Sequence, residues 1–182
     1  MMKEVYTITE SMLEKIKNLP YENLPHMIEQ VDEFIEYGYV QQSLNLFQQF
    51  GSREAESKGI DWEWTKYFYP ENWSNVGLMF DKANPGHVIP QHTDHFKFYA
   101  IHFGIPKEKV RRRIVFLEDW KSGHYFQLKN KPYVQWTQGD YVEWGCNDSH
   151  LGGNFGDEVR YTLQITGVPT ISASEITAPH PS

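Results

Sequence analysis

Val159-Arg160-Tyr161-Thr162-Leu163-Gln164-Ile165 alternates strictly, with Arg160, Thr162 and Gln164 on one side of an extended chain and Tyr161, Leu163 and Ile165 on the other. Successive strand side chains point to opposite faces, so the stretch predicts a strand with one apolar and one polar face. A face that opens on arginine and stays polar suits the lining of a cavity better than the wall of a uniformly apolar core.

Upstream, short runs of strand character lie between Gly, Pro and Asn signals, as in an all-β sandwich or barrel. They fall at 75–81, 87–94, 112–118, 125–128, 133–137, 140–144 and 159–166. Gln138-Gly139-Asp140 reads as the turn of a hairpin. Within the long connection 95–111, Pro106 to Val110 suits a single helical turn.

The first fifty residues have helical spacing instead. Met12, Ile16 and Leu19 form one stripe, with Thr9 or Ser11 as its cap. Met27, Ile28, Val31, Phe34 and Ile35 form a second, between Asn23-Pro25 and Gly38, and Val40, Leu44 and Phe47 a third over 39–50. Residues 51–59 are polar and predict a loop. The expected organisation is one domain: a helical extension over 1–60 packed on a β core over 61–168, then a Ser/Thr/Pro-rich tail, 169–182, without fixed structure.

The chain has 182 residues and a formal charge of −7, with Lys107, Lys109, Arg111, Arg112 and Arg113 as its basic cluster. That balance argues against nucleic-acid binding, because no basic face compensates for the acidic excess. One cysteine, Cys146, excludes an internal disulfide and suits a reducing compartment. No apolar run spans a bilayer and no secretory leader is evident, so the expectation is a soluble cytoplasmic protein without membrane partners.

Chemistry concentrates at Gly86-His87-Val88-Ile89-Pro90-Gln91-His92-Thr93-Asp94. On a strand, His92 and Asp94 share a direction. His150 lies far downstream and Arg160 ten residues beyond it. Two imidazoles and a carboxylate can hold a ferrous ion on one side, leaving positions open, and a guanidinium suits an acidic co-substrate.

These stretches, with Arg111 to Leu117, Trp136 to Trp144 and Arg160 to Thr166, resemble Fe(II)/2-oxoglutarate-dependent dioxygenases. The sub-pattern is similar to aspartyl/asparaginyl β-hydroxylase-like and prolyl 4-hydroxylase-like enzymes. The resemblance spans 75–167 and implies a double-stranded β-helix, a cupin-like jelly roll, buttressed by the N-terminal helices. It implies His92, Asp94 and His150 as iron ligands and Arg160 as the partner of the far carboxylate of 2-oxoglutarate. It further implies O2 as co-substrate and hydroxylation of a C–H bond in a peptidyl or small-molecule substrate, with release of succinate and CO2. Arg113 (or Arg111) falls near a second basic co-substrate contact of the β-hydroxylase pattern. Tyr99 has two readings, co-substrate contact or core packing, and Asn154 two, loop hydrogen bond or support of the site. The β-hydroxylase itself lacks a counterpart of Asp94, which weakens any transfer of its Asp/Asn substrate preference.

Two other classes fit parts of the pattern. A different cupin-type metalloenzyme, an isomerase or a 2-oxoglutarate-independent dioxygenase, would usually show His-x-His with a nearby glutamate, and would leave Arg160 unexplained. A non-catalytic jelly-roll binding protein would bind sugar or peptide through its aromatic residues and need no metal; the aromatic run 61–73 suits a substrate-facing lip. That run also suits packing of helices on the barrel. His95, His102 and His124 are surplus to the triad and read as packed or surface residues.

Overall fold

A computed structural model describes residues 5–23, 31–36, 38 and 47–170. Its strands are β1 (Gln48–Gly51), β2 (Trp73–Ala83), β3 (Val88–His92), β4 (Arg111–Phe116), β5 (His124–Leu128), β6 (Lys131–Tyr133), β7 (Tyr141–Gly145), β8 (His150–Asn154) and β9 (Arg160–Pro169). They form two sheets, β1-β2-β9-β4-β7 and β3-β8-β5-β6, with every pairing antiparallel. From β2 onward the chain winds back and forth between the sheets, and its last strands, β8 and β9, insert between earlier ones. That order is a double-stranded β-helix, a jelly roll.

Alternation in β4 and β9 separates the two cores. Val115, Leu163 and Ile165 face outward, where they join Leu78, Phe80, Phe68 and the N-terminal Tyr6, Ile8 and Ile16. Ile114 and Phe116 face inward, packing with Phe126, Trp136, Val142 and Trp144 between the sheets. The outer face is closed by helix α1 (Glu10–Lys17), whose start is capped by Thr9: its Oγ1 accepts the Met12 N–H at 3.2 Å. Ile16 is wholly buried there, so truncating it to Ala costs about 2–5 kcal/mol. The aromatic run packs on the same face, Trp64 stacking on Phe80 and Trp62 meeting Phe50 edge-on. Packing is the observed role of Trp62, Trp64, Phe68 and Trp73, while Tyr67 and Tyr69 are exposed.

Several expectations need correction. Of the third helix, 39–46 lies outside the described residues, and its end is strand β1, whose Gln49 pairs with Asp81 of β2. The edge of β2 offers unpaired backbone groups that this segment satisfies. The expected loop 51–59 contains helix α3 (Ser52–Lys58), with Glu54 accepting the Gly51 N–H and Gly59 closing the end at φ 64°. Its charged sequence hid a good helix former. Strand 133–137 ends at Tyr133, and the chain then crosses to the other sheet, so Gln138-Gly139-Asp140 joins no hairpin.

Helix α2 (Val31–Glu36) occupies part of the second stripe; Met27 and Ile28 lie outside the described residues. The 95–111 connection holds helix α4 (Lys97–Phe103) and a 3-10 turn, Lys107–Lys109. β9 runs through Pro169, and 171–182 lies outside the described residues. No described helix is long and apolar enough to cross a membrane.

Candidate metal centre

β3 and β8 pair so that His92 stands directly opposite His150, their ring centroids 4.3 Å apart. Asp94 lies just beyond the end of β3 and turns to the same side. Its carboxylate is 4.0 Å from His92 Nε2 through Oδ1 and 3.7 Å from His150 Nε2 through Oδ2. One ligand atom from each residue falls within 4.8 Å of the others. Metal–ligand bonds of roughly 2.0–2.2 Å put neighbouring ligand atoms about 3 Å apart, so the three side chains would have to draw together around an ion.

Both imidazoles are presented in the ligating tautomer. His92 Nδ1 lies 2.7 Å from the Pro90 carbonyl and His150 Nδ1 3.0 Å from that of Asp148. A carbonyl only accepts, so each Nδ1 carries the proton and each Nε2 keeps its lone pair. Burial pushes His150 down to about 4, against the pull of Asp94, so it is neutral at pH 7. Burial alone would raise the Asp94 carboxyl; Arg112, the two histidines and the Trp144 indole together hold it below its ordinary range. A neutral imidazole and a carboxylate are the forms a divalent cation binds.

Arg112 and Trp144 grip Asp94 from the opposite sheet. Arg112 Nη1 donates to Oδ1 and Trp144 Nε1 to Oδ2, each at 2.8 Å. Residue-type reasoning missed both, although alternation in Arg111-Arg112-Arg113 already set Arg112 apart from its neighbours. Phe34 of α2, buried, meets the His92 ring edge-on at 5.6 Å.

Arg160 is buried on the inner face. Its Nη1 donates to the carbonyls of Tyr125, at 2.6 Å, and Gly153, at 3.1 Å, and its guanidinium lies 4.9 Å from the Phe47 ring centroid. Nε and Nη2, the other edge of the fork, have no hydrogen-bond partner among the described residues. Burial lowers this group to about 10, opposed by Asp81, so it stays charged at pH 7. Beneath it lies Gly152, next but one to His150 on β8; a Cβ there would sit 3.3 Å from Nη2.

Other candidates fall elsewhere. Arg113 is on the outer face of β4, bonded to the Tyr6 hydroxyl and Glu143 and stacked on Tyr141 at 4.0 Å. Arg111 bonds to the Glu108 and Val110 carbonyls. The Tyr99 hydroxyl lies 3.5 Å from the Thr166 carbonyl, and burial pushes it up to about 12. Asn154 donates to the Ala83 and Glu158 carbonyls and accepts from Gly156 N–H. It therefore shapes the β8–β9 turn that delivers Arg160. His95 and His102 are exposed, and His124 is bonded to the Glu158 carbonyl.

No protein-family model matches the chain, and no curated protein matches it. Solved structures do resemble it. A cupin domain of Cnp3 from Schizosaccharomyces pombe is 11% identical, with 73% of this chain and 70% of that one covered and a TM-score of 0.41. A protein described as a predicted oxalate decarboxylase from Thermotoga maritima is 15% identical, with 67% and 80% covered and a TM-score of 0.40. A conserved protein with a double-stranded β-helix domain from Klebsiella pneumoniae is 13% identical, with 55% and 74% covered and a TM-score of 0.37. Likenesses this distant add nothing to the jelly roll that the strand order defines.

Proposed function

We propose that this chain is an Fe(II)- and 2-oxoglutarate-dependent oxygenase that hydroxylates a C–H bond of a peptidyl or small-molecule substrate. The observation that carries the reading is the buried Nε/Nη2 edge of Arg160 on β9, which has no partner among the described residues and faces Gly152, next but one to His150 on the opposite sheet. Two parallel N–H donors on one guanidinium edge match a carboxylate, and leaving them buried without a partner is costly. A metal-only site would have no use for that edge.

His92, Asp94 and His150 would hold the iron, leaving open positions for the keto-acid end of the co-substrate and for O2. Bound iron would supply oxygen activation, coupled to oxidation of 2-oxoglutarate to succinate and CO2. The protein's own contributions are orientation and exclusion of water. Arg112 and Trp144 fix the Asp94 carboxylate, the Pro90 and Asp148 carbonyls fix the ring tautomers, and Phe34 shields His92. Tyr125 and Gly153 hold the Arg160 fork still, so little entropy is lost when an anion docks.

Anaerobic addition of Fe(II) and then 2-oxoglutarate tests the reading. The expected result is a visible metal-to-ligand charge-transfer band that needs both components. Iron-loaded protein that never develops the band with 2-oxoglutarate would sink the proposal.

A further inference from the structure

Behind Arg160 the inner wall holds an acid with no part in metal binding. Asp81 of β2 is 1% exposed and lies in register with Gln49 of β1 and Thr162 of β9. Its Oδ1 accepts from Gln49 Nε2 at 2.9 Å; its Oδ2 accepts from Gln164 Nε2 at 2.8 Å and from the Thr162 hydroxyl at 3.4 Å. Because Gln49 gives its NH2 to Asp81, its Oε1 is turned away and is buried without a partner among the described residues. Phe47, on the same approach to β1, lies against the Arg160 guanidinium. The interior thus combines an unsatisfied acceptor, an unsatisfied two-donor edge and a buried carboxylate that forms no ion pair with a described residue.

An anion docking on Arg160 would add a second negative charge near Asp81, which already acts on that guanidinium, while the Gln49 oxygen stays unsatisfied beside the same carboxylate. One rearrangement removes both conflicts. If Asp81 is protonated on Oδ1, that proton can be donated to Gln49 Oε1 once the amide turns over, and the NH2 then replaces the orphan oxygen. We propose that Asp81 is a specificity-determining residue of the inner chamber: a carboxylate seating on Nε and Nη2 of Arg160 is bound together with one proton, taken from solvent by Asp81 and received by the Gln49 amide. This rests on the reading of Arg160 as the co-substrate anchor.

The surroundings favour such an exchange. Burial pushes Asp81 up to about 6, opposed by its bonds to Gln49 and Gln164 and by the charges of Arg112 on β4 and Arg160 on β9. Thr162 and Gln164 face it from β9 without charge. Tyr21, on the N-terminal segment, is held neutral by its own burial, with Tyr161 and Asp81 adding to the effect. A second anion nearby raises Asp81 further, so at neutral pH ligand binding draws in a proton.

The test is calorimetric titration of the Mn(II)-loaded full chain with 2-oxoglutarate, in buffers of different ionisation heat. Wild type is expected to take up a proton, with Kd weakening by up to about tenfold per pH unit above pH 7. Asp81→Asn, whose amide can already donate to Gln49 Oε1, is expected to lose both effects and to bind more tightly than wild type at pH 8. Infrared difference spectra of wild type with 13C-labelled 2-oxoglutarate should also show a new protein carboxylic-acid stretch, a readout that needs no variant. Binding without proton uptake, absence of that stretch, or the same uptake in Asp81→Asn overturns the inference alone. Wild type that binds no 2-oxoglutarate at any pH removes the functional reading and this inference with it.

Discussion

Arg112 and Asp94 form an ion pair at 2.8 Å across the mouth of the barrel, between a residue of the larger sheet and one just past the end of β3. The pair supplies the Asp94 carboxylate, whose side chain is 8% exposed, with the positive charge that a metal ion would otherwise provide. Arg112 also donates to the Thr166 hydroxyl at 3.2 Å and lies over the Phe96 ring, so its head group is fixed from several sides.

Arg112→Met should therefore be most damaging when no metal is bound. Leaving a buried carboxylate without its counter-charge costs about 3–5 kcal/mol. Urea unfolding of metal-free protein should show a loss of that order, and saturating Mn(II) should recover much of it by replacing the missing charge. An equal loss with and without Mn(II) would show that Arg112 packs against its neighbours without serving the carboxylate.

Acid should destabilise the metal-free protein through His150. Its folded pKa, about 4, lies below the ordinary value of 6.5. Between those pH values the unfolded chain binds a proton that the native state refuses. The contribution of His150 is therefore complete above pH 6.5 and falls as pH drops toward 4, by on the order of 3 kcal/mol. The lowered Asp94 pKa acts in the same direction at still lower pH. Asp81, raised to about 6, slopes the opposite way below pH 6, so the His150 contribution is read as the difference between the urea-midpoint profiles of wild type and His150→Leu from pH 7 to pH 4.

The floor beneath Arg160 gives a test that spares the charge. A methyl group at Gly152 would press on Nη2 at 3.3 Å and rest in ordinary contact with Phe47 at 3.5 Å. Gly152→Ala should weaken 2-oxoglutarate binding about tenfold, equivalent to 1.4 kcal/mol, while Mn(II) affinity stays as in wild type. Arg160→Met should weaken it by more than about thirtyfold, again with the metal retained. A Gly152→Ala protein with unchanged 2-oxoglutarate affinity would mean that the ligand does not use the Nε/Nη2 edge.

What could be read in advance was what local rules dictate. The alternation of β9 specified its two faces, and Thr9 capped α1, because pleat and cap geometry act within a few residues. β8 escaped notice because Gly152 and Gly153 carry no side chains to alternate, and β1 because Gln48 and Gln49 resemble a helix surface. The three consecutive arginines show the deeper limit. Period-two spacing separates Arg112 from Arg111 and Arg113, but which side looks inward depends on Tyr6, Ile8 and Ile16 covering the outer face, a contact made across most of the chain. The same long-range packing brings Trp144 to Asp94.

Arg113 gives that distinction an experimental form. It is 5% exposed, its Nη1 bonded to the Tyr6 hydroxyl at 2.6 Å and its Nη2 to Glu143 at 3.1 Å, with the Tyr141 ring 4.0 Å from its Cζ and Trp73 5.1 Å away. It thus bolts the N-terminal segment to the outer face of the larger sheet. Arg113→Met keeps most of the packed stem but loses the bonds, and should cost about 1–3 kcal/mol. Because the side chain points away from His92, Asp94, His150 and Arg160, the affinities for Mn(II) and 2-oxoglutarate should match wild type wherever the protein is folded. A specific loss of 2-oxoglutarate affinity in folded Arg113→Met would return the second basic co-substrate contact to this residue.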